Sequence, residues 1–254
     1  MIYITCFTLI GSLLAMTKYG EEKSEGSVLM HMPVAEELAI DILEGRWETG
    51  KAITLEDMQR RFSISRTVAR EVARQLESVG AVQVKKRLGI VAQPVDLWAA
   101  LNPEVVNWKL HSNQRRDQLI SLTELRLAVE PAAAAGAATN APVDVRTKIG
   151  VLAVQMRNMG ESGHLEEFHQ LDIEFHSLLL KYSGNELFAA LADIVSTILR
   201  GRVEIGMYPQ KPEPEALDAH QEVADGIVKG DAAMAREGMR RIVDEVDEAV
   251  SSSI

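Results

Sequence analysis

The stretch Ser65-Arg66-Thr67-Val68-Ala69-Arg70-Glu71-Val72 joins a helix-starting serine to arginines four residues apart and an apolar face. Ser65 is a good N-cap, and Gly80 a good helix stop. Between them Val68, Val72, Leu76 and Val79 recur as a buried stripe, with Arg66, Arg70 and Arg74 on the opposite side. Upstream, Leu55, Met58 and Phe62 fall on one face of a helix over 55–62. Thr54 precedes it and Asp57 follows three residues on, a capping-box pattern with Asp in place of the usual Glu. Ser63-Ile64 leaves room only for a tight turn. Two helices joined so closely must cross steeply, which presents the N-terminus of the second outward. Downstream, Val82–Val91 reads as a basic hairpin. Helix, turn, arginine-bearing helix and basic β-ribbon together predict a winged helix-turn-helix.

Charge agrees with that expectation. Residues 60–87 carry eight Lys/Arg (Arg60, Arg61, Arg66, Arg70, Arg74, Lys85, Lys86, Arg87) against Glu71 and Glu77, while the whole chain has a net charge of −10. A basic island in an acidic protein implies a polyanionic partner at that surface. In isolation, a run of arginines reads as a solvated helix face. Its coincidence with the helix-turn-helix spacing and the hairpin favours double-stranded DNA. Arg can bond guanine O6 and N7 bidentately, so Arg66 and Arg70 are the candidates for base edges, from the helix that Ser65 opens. Thr67 and the tip Lys85-Lys86-Arg87 are expected on phosphates, with Gly89 allowing close approach of the wing backbone.

The remaining charge marks the domains. Residues 33–95 hold ten Lys/Arg and nine Asp/Glu, whereas residues 96–254 hold fifteen and twenty-five. The acidic part is not expected to touch DNA. At 254 residues, with 46% hydrophobic and 25% charged residues, the chain has room for two globular domains. Cys6 is the only cysteine, so no intramolecular disulfide is possible. Ile2–Met16 is nearly all apolar without Lys or Arg, is short for a bilayer span, and lacks a basic n-region and a small-residue cleavage site. Residues 1–15 are expected to be disordered or to precede a start at Met16, with a membrane anchor as the competing reading. The expected organisation is an arm over 1–32, a winged helix-turn-helix over 33–95, a short helical linker over 96–114 interrupted at Asn102-Pro103, and an all-α domain over 115–254. DNA binding places the protein in the cytoplasm.

Beyond Pro94 the periodicity is helical throughout. Helices are expected over 115–139, with a kink at Pro131, and over 142–158, 161–181, 186–206, 213–229 and 231–249, separated by breakers such as Gly160 and Gly230-Asp231. That pattern predicts a helical bundle, and the run Ala132–Ala135 predicts close helix packing. Asp172 and His176 lie four apart on one helix face, and His220 lies on a later helix. One carboxylate and two imidazoles suit a divalent metal such as Zn, Ni, Fe or Mn. Alone, an Asp-x-x-x-His pair also reads as a hydrogen-bonded surface pair. Arg126 has two readings as well: an ion pair with Glu130 one turn on, or a grip on an anionic ligand. His31, His111, His164 and His169 are expected to be ordinary surface residues.

The landmarks of the N-terminal half resemble the bacterial GntR family. They run from a helix ending near Gly45, through Gly50, Ser65-Arg66-Thr67-Val68-Ala69-Arg70-Glu71, Leu76 and Gly80, to a wing closing on Gly89-Ile90-Val91. The resemblance covers Pro33 to about Pro94. One position departs. Where the family's Leu-Pro-Ser-Glu-like stretch is followed by Arg, this chain has Ala52-Ile53-Thr54-Leu55 and then Glu56; Glu56 is expected to repel phosphate. The C-terminal half resembles the FCD effector domain of the FadR subgroup, on Glu124-Leu125-Arg126-Leu127-Ala128-Val129-Glu130-Pro131, Asp172-Ile173-Glu174-Phe175-His176, and His220 ahead of Gly230-Asp231-Ala232. This resemblance implies a site of one Asp and three His beneath a small carboxylate effector. Asp172, His176 and His220 take three of the positions and Ile242 the fourth, where no ligand atom is available.

A homodimeric transcription regulator is therefore expected, most simply a repressor released from a pseudo-palindromic operator. The segment Leu101–Trp108 followed by Glu124–Pro131 resembles regulators answering to gluconate or galactonate. Arg126, Asp172, His176 and His220 are the expected effector contacts. The metal, Zn, Ni or Mn, would be held by Asp172, His176 and His220 with water or effector oxygens completing the shell. A metal-free pocket, and other acids such as lactate, a dicarboxylate or an acyl thioester, remain alternatives. A metal-dependent enzyme fused to a DNA module is a competing class. No activated nucleophile, further carboxylate pair or Gly-rich phosphate loop accompanies the site, so no catalytic role is expected.

Overall fold

The computed structural model describes residues 31–206 and 212–252, with side chains described as far as Glu245. The expectations for residues 1–30 lie outside this range. The chain divides into one compact unit ending at Ala100 and another beginning at Leu101.

In the first unit the chain is helical over 31–43 (α1), so His31 and Met32 belong to a helix rather than to the expected arm. Ala35, Leu38, Ala39 and Ile42 of α1 are buried. β1 (Ala52–Ile53) leads into α2 (Leu55–Phe62) and α3 (Arg66–Ser78), followed by β2 (Val82–Lys85) and β3 (Gly89–Ala92). The α2 capping box forms as expected: Asp57 N–H donates to Thr54 Oγ1 at 3.1 Å, and Thr54 N–H donates to Asp57 Oδ2 at 2.9 Å. Ser63 ends α2 in the left-handed region, and Ser65 caps α3 by accepting from Val68 N–H at 3.2 Å. On α3 Val68, Ala69, Val72, Ala73 and Leu76 are buried, while Arg66, Arg70 and Arg74 face outward. The hairpin is one arm of a three-stranded antiparallel sheet in the order β1-β3-β2, with Lys85 opposite Gly89 and Ala52 opposite Val91. The two-residue strand β1 carries too few residues to show a pattern of its own. It also explains Gly89, whose φ is +110° and whose Cβ position would lie 2.6 Å from the Ile53 carbonyl oxygen. The close approach this glycine permits is to β1, within the sheet.

The second unit is helical: α4 (Pro103–Leu110), α5 (Arg115–Asn140), α6 (Val143–Ser162), α7 (Leu165–Lys181), α8 (Glu186–Ala190), α9 (Ala192–Glu204), α10 (Pro214–Lys229) and α11 (Ala232–Ser252). The expected linker 96–114 is divided between the units. Trp98 is buried in the first, while α4 buries Val105, Val106, Trp108 and Leu110 in the second. Asn102-Pro103 starts α4 rather than interrupting it: the Asn102 side chain accepts from Glu104 N–H at 2.8 Å, and Pro103 occupies the first turn, where its missing donor costs nothing. Helix α5 continues through Pro131. The helix expected over 186–206 is two, meeting at Leu191. Gly160 does not break α6; the left-handed cap is Gly163, and Gly160 instead admits Leu217, 3.1 Å from its Cβ position.

Helix α5 sits among the others. Its Ala134, Ala137 and Ala138 join Ile149, Met156, Phe168, Phe175, Val223, Met239 and Ile242 in one core. Its Leu119 and Leu122 pack with Val106 and Leu110 of α4 and with Ile194 and Ile198 of α9. Its Ala133 packs with Leu180, Val195 and Leu199. The alanine run is packing, as its small side chains suggest. Gly136 takes this furthest, since a Cβ there would lie 2.2 Å from the Ser183 carbonyl oxygen.

Candidate metal centre and nucleic-acid interface

Three helices bring Asp172, His176 and His220 together with Glu130 and Arg126. Asp172 and His176 share one face of α7 because they are four residues apart, His220 comes from α10, and Arg126 and Glu130 come from α5. All five are buried. Asp172 Oδ1 lies 3.1 Å from His220 Nε2 and 3.4 Å from His176 Nε2. One donor atom from each of the three residues falls within a 4.8 Å group. Two ligands bonded to one ion at roughly 2 Å stand about 3 Å apart, so the separations fit a shared cation.

The outer partners of the imidazoles are fixed too. His176 Nδ1 lies 2.5 Å from Glu130 Oε2, and His220 Nδ1 lies 2.7 Å from the Ala216 carbonyl oxygen. Acceptors at both Nδ1 atoms hold the proton there and leave both Nε2 atoms turned to Asp172. This is how metal-binding histidines are commonly oriented. Glu130 is itself held by Arg126, whose Nε lies 2.5 Å from Oε1 and Nη2 3.4 Å from Oε2. Of the two readings of Arg126, the ion pair with Glu130 is present, and its guanidinium is 1% exposed.

The charges explain one another. Burial pushes the Glu130 carboxyl up, but Arg126 and His176 outweigh it and hold the group down at about 2. Burial pushes the His176 imidazolium down, yet Glu130 and Asp172 raise it to about 9. Asp172 is desolvated as well; His176 and His220 bring its carboxyl well below the usual range. Without a metal, a proton on His176 neutralises the space between two carboxylates. A divalent cation would take over that role.

Ile242 is buried in the same core as Leu217, Ala219 and Val223, so the fourth family position adds packing and no ligand. Sequence reasoning had cast Glu130 only as a partner for Arg126. Its contact with His176 joins residues 46 positions apart, which helical spacing does not reveal. His169 is partly buried with Nδ1 on the Leu165 carbonyl oxygen at 3.2 Å, and His111 Nδ1 lies 3.0 Å from the Asn107 oxygen; neither is the plain surface residue expected. His164 is exposed, with Nδ1 2.8 Å from Ser162 Oγ.

In the first unit, Ser65, Arg66, Thr67 and Arg70 are exposed on the first turns of α3, and Lys85, Lys86 and Arg87 are exposed at the hairpin tip. Other members of the basic island are engaged within the protein. Arg61 pairs with buried Asp41 and with Glu37, tying α2 to α1. Arg74 lies 2.8 Å from Glu71, and Arg60 lies 3.4 Å from Asp57. Arg66 in turn lies 3.9 Å from Glu56 at the start of α2, so the start of α3 and the wing tip both present exposed basic side chains, one of them beside a carboxylate.

Two domain families match in chain order: the bacterial regulatory proteins of the gntR family over residues 32–91 and the FCD domain over residues 121–245. The chain is a GntR-family transcription regulator with an FCD domain. As such it is a DNA-binding protein and not an enzyme. Among its relatives, an uncharacterized HTH-type transcriptional regulator of Escherichia coli, YieP, is 25% identical over 80% of this chain and 87% of that protein. The galactonate operon transcriptional repressor of Escherichia coli is 27% identical over 77% of this chain and 86% of that one. The solved structure of Lar from Listeria monocytogenes shares the fold, with a TM-score of 0.56 at 17% identity over 87% of this chain and 96% of that chain. Among the described residues, no helix of this GntR-family regulator is long and apolar enough to cross a membrane.

Proposed function

We propose that this regulator is a cytoplasmic homodimeric repressor that leaves its operator when a small sugar acid such as gluconate or galactonate binds the FCD domain. In this reading Ser65, Arg66, Thr67 and Arg70 enter the major groove, with Arg66 and Arg70 on base edges. Thr67, with Lys85 at the end of β2 and Lys86 and Arg87 in the turn before Gly89, holds phosphates. A two-fold dimer sets two such helices about one DNA turn apart, or a multiple of it. Asp172, His176 and His220 hold one divalent metal, Zn, Ni or Mn, which would supply a positive charge and open positions for carboxylate and hydroxyl oxygens of the effector. Arg126 acts on that centre through Glu130.

The observation that carries this reading is the orientation of the two imidazoles. Both Nδ1 atoms are occupied by acceptors, and both Nε2 atoms converge on one Asp172 oxygen. A polyhydroxy acid supplies several oxygen donors, which suits a site with three protein ligands. The relative named for the galactonate operon supports the same class of acid. A metal-free variant of this reading rests on the same charges: His176, raised to about 9 by Glu130 and Asp172, is held as an imidazolium between them, and an effector carboxylate would take the place of one of the two. Lactate or a dicarboxylate would fit that arrangement.

Fluorescence anisotropy with DNA from upstream of the gene, with and without gluconate or galactonate, tests the proposal. Asp172→Ala and His220→Ala should abolish the response to the acid and leave DNA affinity within a few-fold. Normal responses from both variants would place the effector elsewhere. Loss of response after chelation, restored by zinc, nickel or manganese, separates the metal site from the metal-free one.

A further inference from the structure

The start of α2 carries a carboxylate on the surface that reads DNA. The Glu56 carboxylate lies 3.9 Å from the Arg66 guanidinium, and both side chains are 62% exposed. Their backbones are fixed independently: Thr54 and Asp57 cap α2, Ser63 turns the chain in the left-handed region, and Ser65 caps α3. Asp57 is committed to the cap and to Arg60. Glu56 is not part of the cap, and its carboxylate stands beside Arg66. An exposed ion pair at this distance contributes little to stability, so the pair is poorly explained as a structural device.

A carboxylate there repels phosphates and lowers affinity for DNA of any sequence. Base edges differ from phosphates in presenting donors as well as acceptors. In the major groove cytosine presents its N4 amino group, which a Glu carboxylate accepts, and guanine presents O6 and N7, which an arginine reads. The N-terminal residues of a recognition helix are the ones that reach base edges, and Glu56 accompanies the first of them.

We propose that Glu56 is a specificity-determining residue that reads the cytosine of a base pair adjoining the one whose guanine Arg66 reads. The pair then selects two successive G·C pairs, one offering guanine and the other cytosine, and its negative charge weakens binding to every other sequence. This inference rests on Arg66 contacting a base, and the two are tested separately.

Full-length wild-type protein, Glu56→Gln and Arg66→Ala are each used to select binders from a random-sequence duplex library, and relative affinities are read by sequencing. Gln prefers adenine, through N6 and N7, where Glu prefers cytosine. Glu56→Gln should therefore change the preference at one position from cytosine to adenine by roughly tenfold or more, with the neighbouring guanine preference unchanged. Its affinity for random DNA should rise a few-fold. A role confined to the helix start would change the melting temperature and leave base preference alone. An unchanged preference in Glu56→Gln overturns the proposal. Retention of the guanine preference by Arg66→Ala would instead remove the assignment of Arg66 on which it stands.

Discussion

Replacing Glu130 by Gln keeps the shape of the side chain and removes the charge that Arg126 and His176 share. The guanidinium of Arg126 would then be buried without its carboxylate, and His176 would lose the nearer of two anions. Two lines set the magnitude. Removing one partner of a buried ion pair typically costs about 3–5 kcal/mol. Separately, His176 is raised from 6.5 to about 9 against the opposing effect of burial. At about 1.4 kcal/mol per pH unit, the surrounding carboxylates favour its charged form by ~3 kcal/mol net of desolvation. Glu130 and Asp172 divide that contribution, so the Arg126 pair must supply the rest of the loss. The metal-free variant should lose ~3–5 kcal/mol in urea unfolding followed by circular dichroism at pH 7. Replacing both charges together, as Arg126→Met with Glu130→Leu, should cost less than Glu130→Gln, because no buried charge is then stranded. Zinc affinity of the folded variant, by competition with a chelator, should fall about 10–100-fold as the His176 ring exchanges its charged orienting acceptor for a neutral amide. A Glu130→Gln protein within ~1 kcal/mol of wild type would refute the coupling of these five side chains.

Other consequences can be checked directly. Because the His176 value is raised on folding, its stabilisation is fully present below about pH 6.5 and is lost as the pH climbs through about 9; Glu130 and Asp172, both lowered, contribute above their ordinary range and lose it in acid. Urea midpoints of the metal-free protein should thus be highest between roughly pH 4.5 and 6.5, and a His176→Gln variant should show no decline toward pH 9. Metal must displace the His176 proton, so apparent zinc affinity should rise about tenfold per pH unit between pH 7 and 9; a flat profile would exclude His176 Nε2 as a ligand. Gly136→Ala should lower stability by about 1–3 kcal/mol, since the new methyl meets the Ser183 carbonyl, and an unchanged melting temperature would contradict that contact. Lys85→Ala and Lys86→Ala should each flatten the dependence of log K on log salt by about one without altering base preference. An unaltered slope would take the wing tip off the phosphates.

Much of the first unit was legible because its signals are local. Thr54 with Asp57, Ser65, Gly80 and the valine stripe of α3 each act within a few residues, and each appears where its chemistry places it. Strand β1 was not legible, since Ala52-Ile53 becomes a strand only by pairing with β3. The close contact of Gly89 with Ile53 followed from the same hidden strand. In the second unit helical periodicity located α5, α7 and α10 closely. The break at Leu191 has no glycine or proline to announce it, and Gly160 was a misleading breaker because its missing side chain serves packing. For the candidate site, Asp172 with His176 could be read from a four-residue spacing, and His220 from the family resemblance. The link from His176 to Glu130 joins residues 46 positions apart, and only the packing of α7 against α5 reveals it. Charge counting identified the basic island but could not separate Arg61, committed to Asp41, from the exposed Arg70.

Helix α7 is pinned to α5 at two places. Near its middle His176 meets Glu130, and just beyond its end the Ser183 carbonyl rests on Gly136 and accepts from Asn140 Nδ2 at 2.8 Å. Two anchors along one helix pair fix its register, so α7 cannot slide past α5 by a turn without breaking both. Helix α10 packs on α5, α6 and α11 and reaches α7 through the ring of His220, beside Asp172 and Phe175. The donors thus come from two helices that are each packed on both α5 and α6, so whatever enters between Asp172 and His220 meets side chains held from both sides.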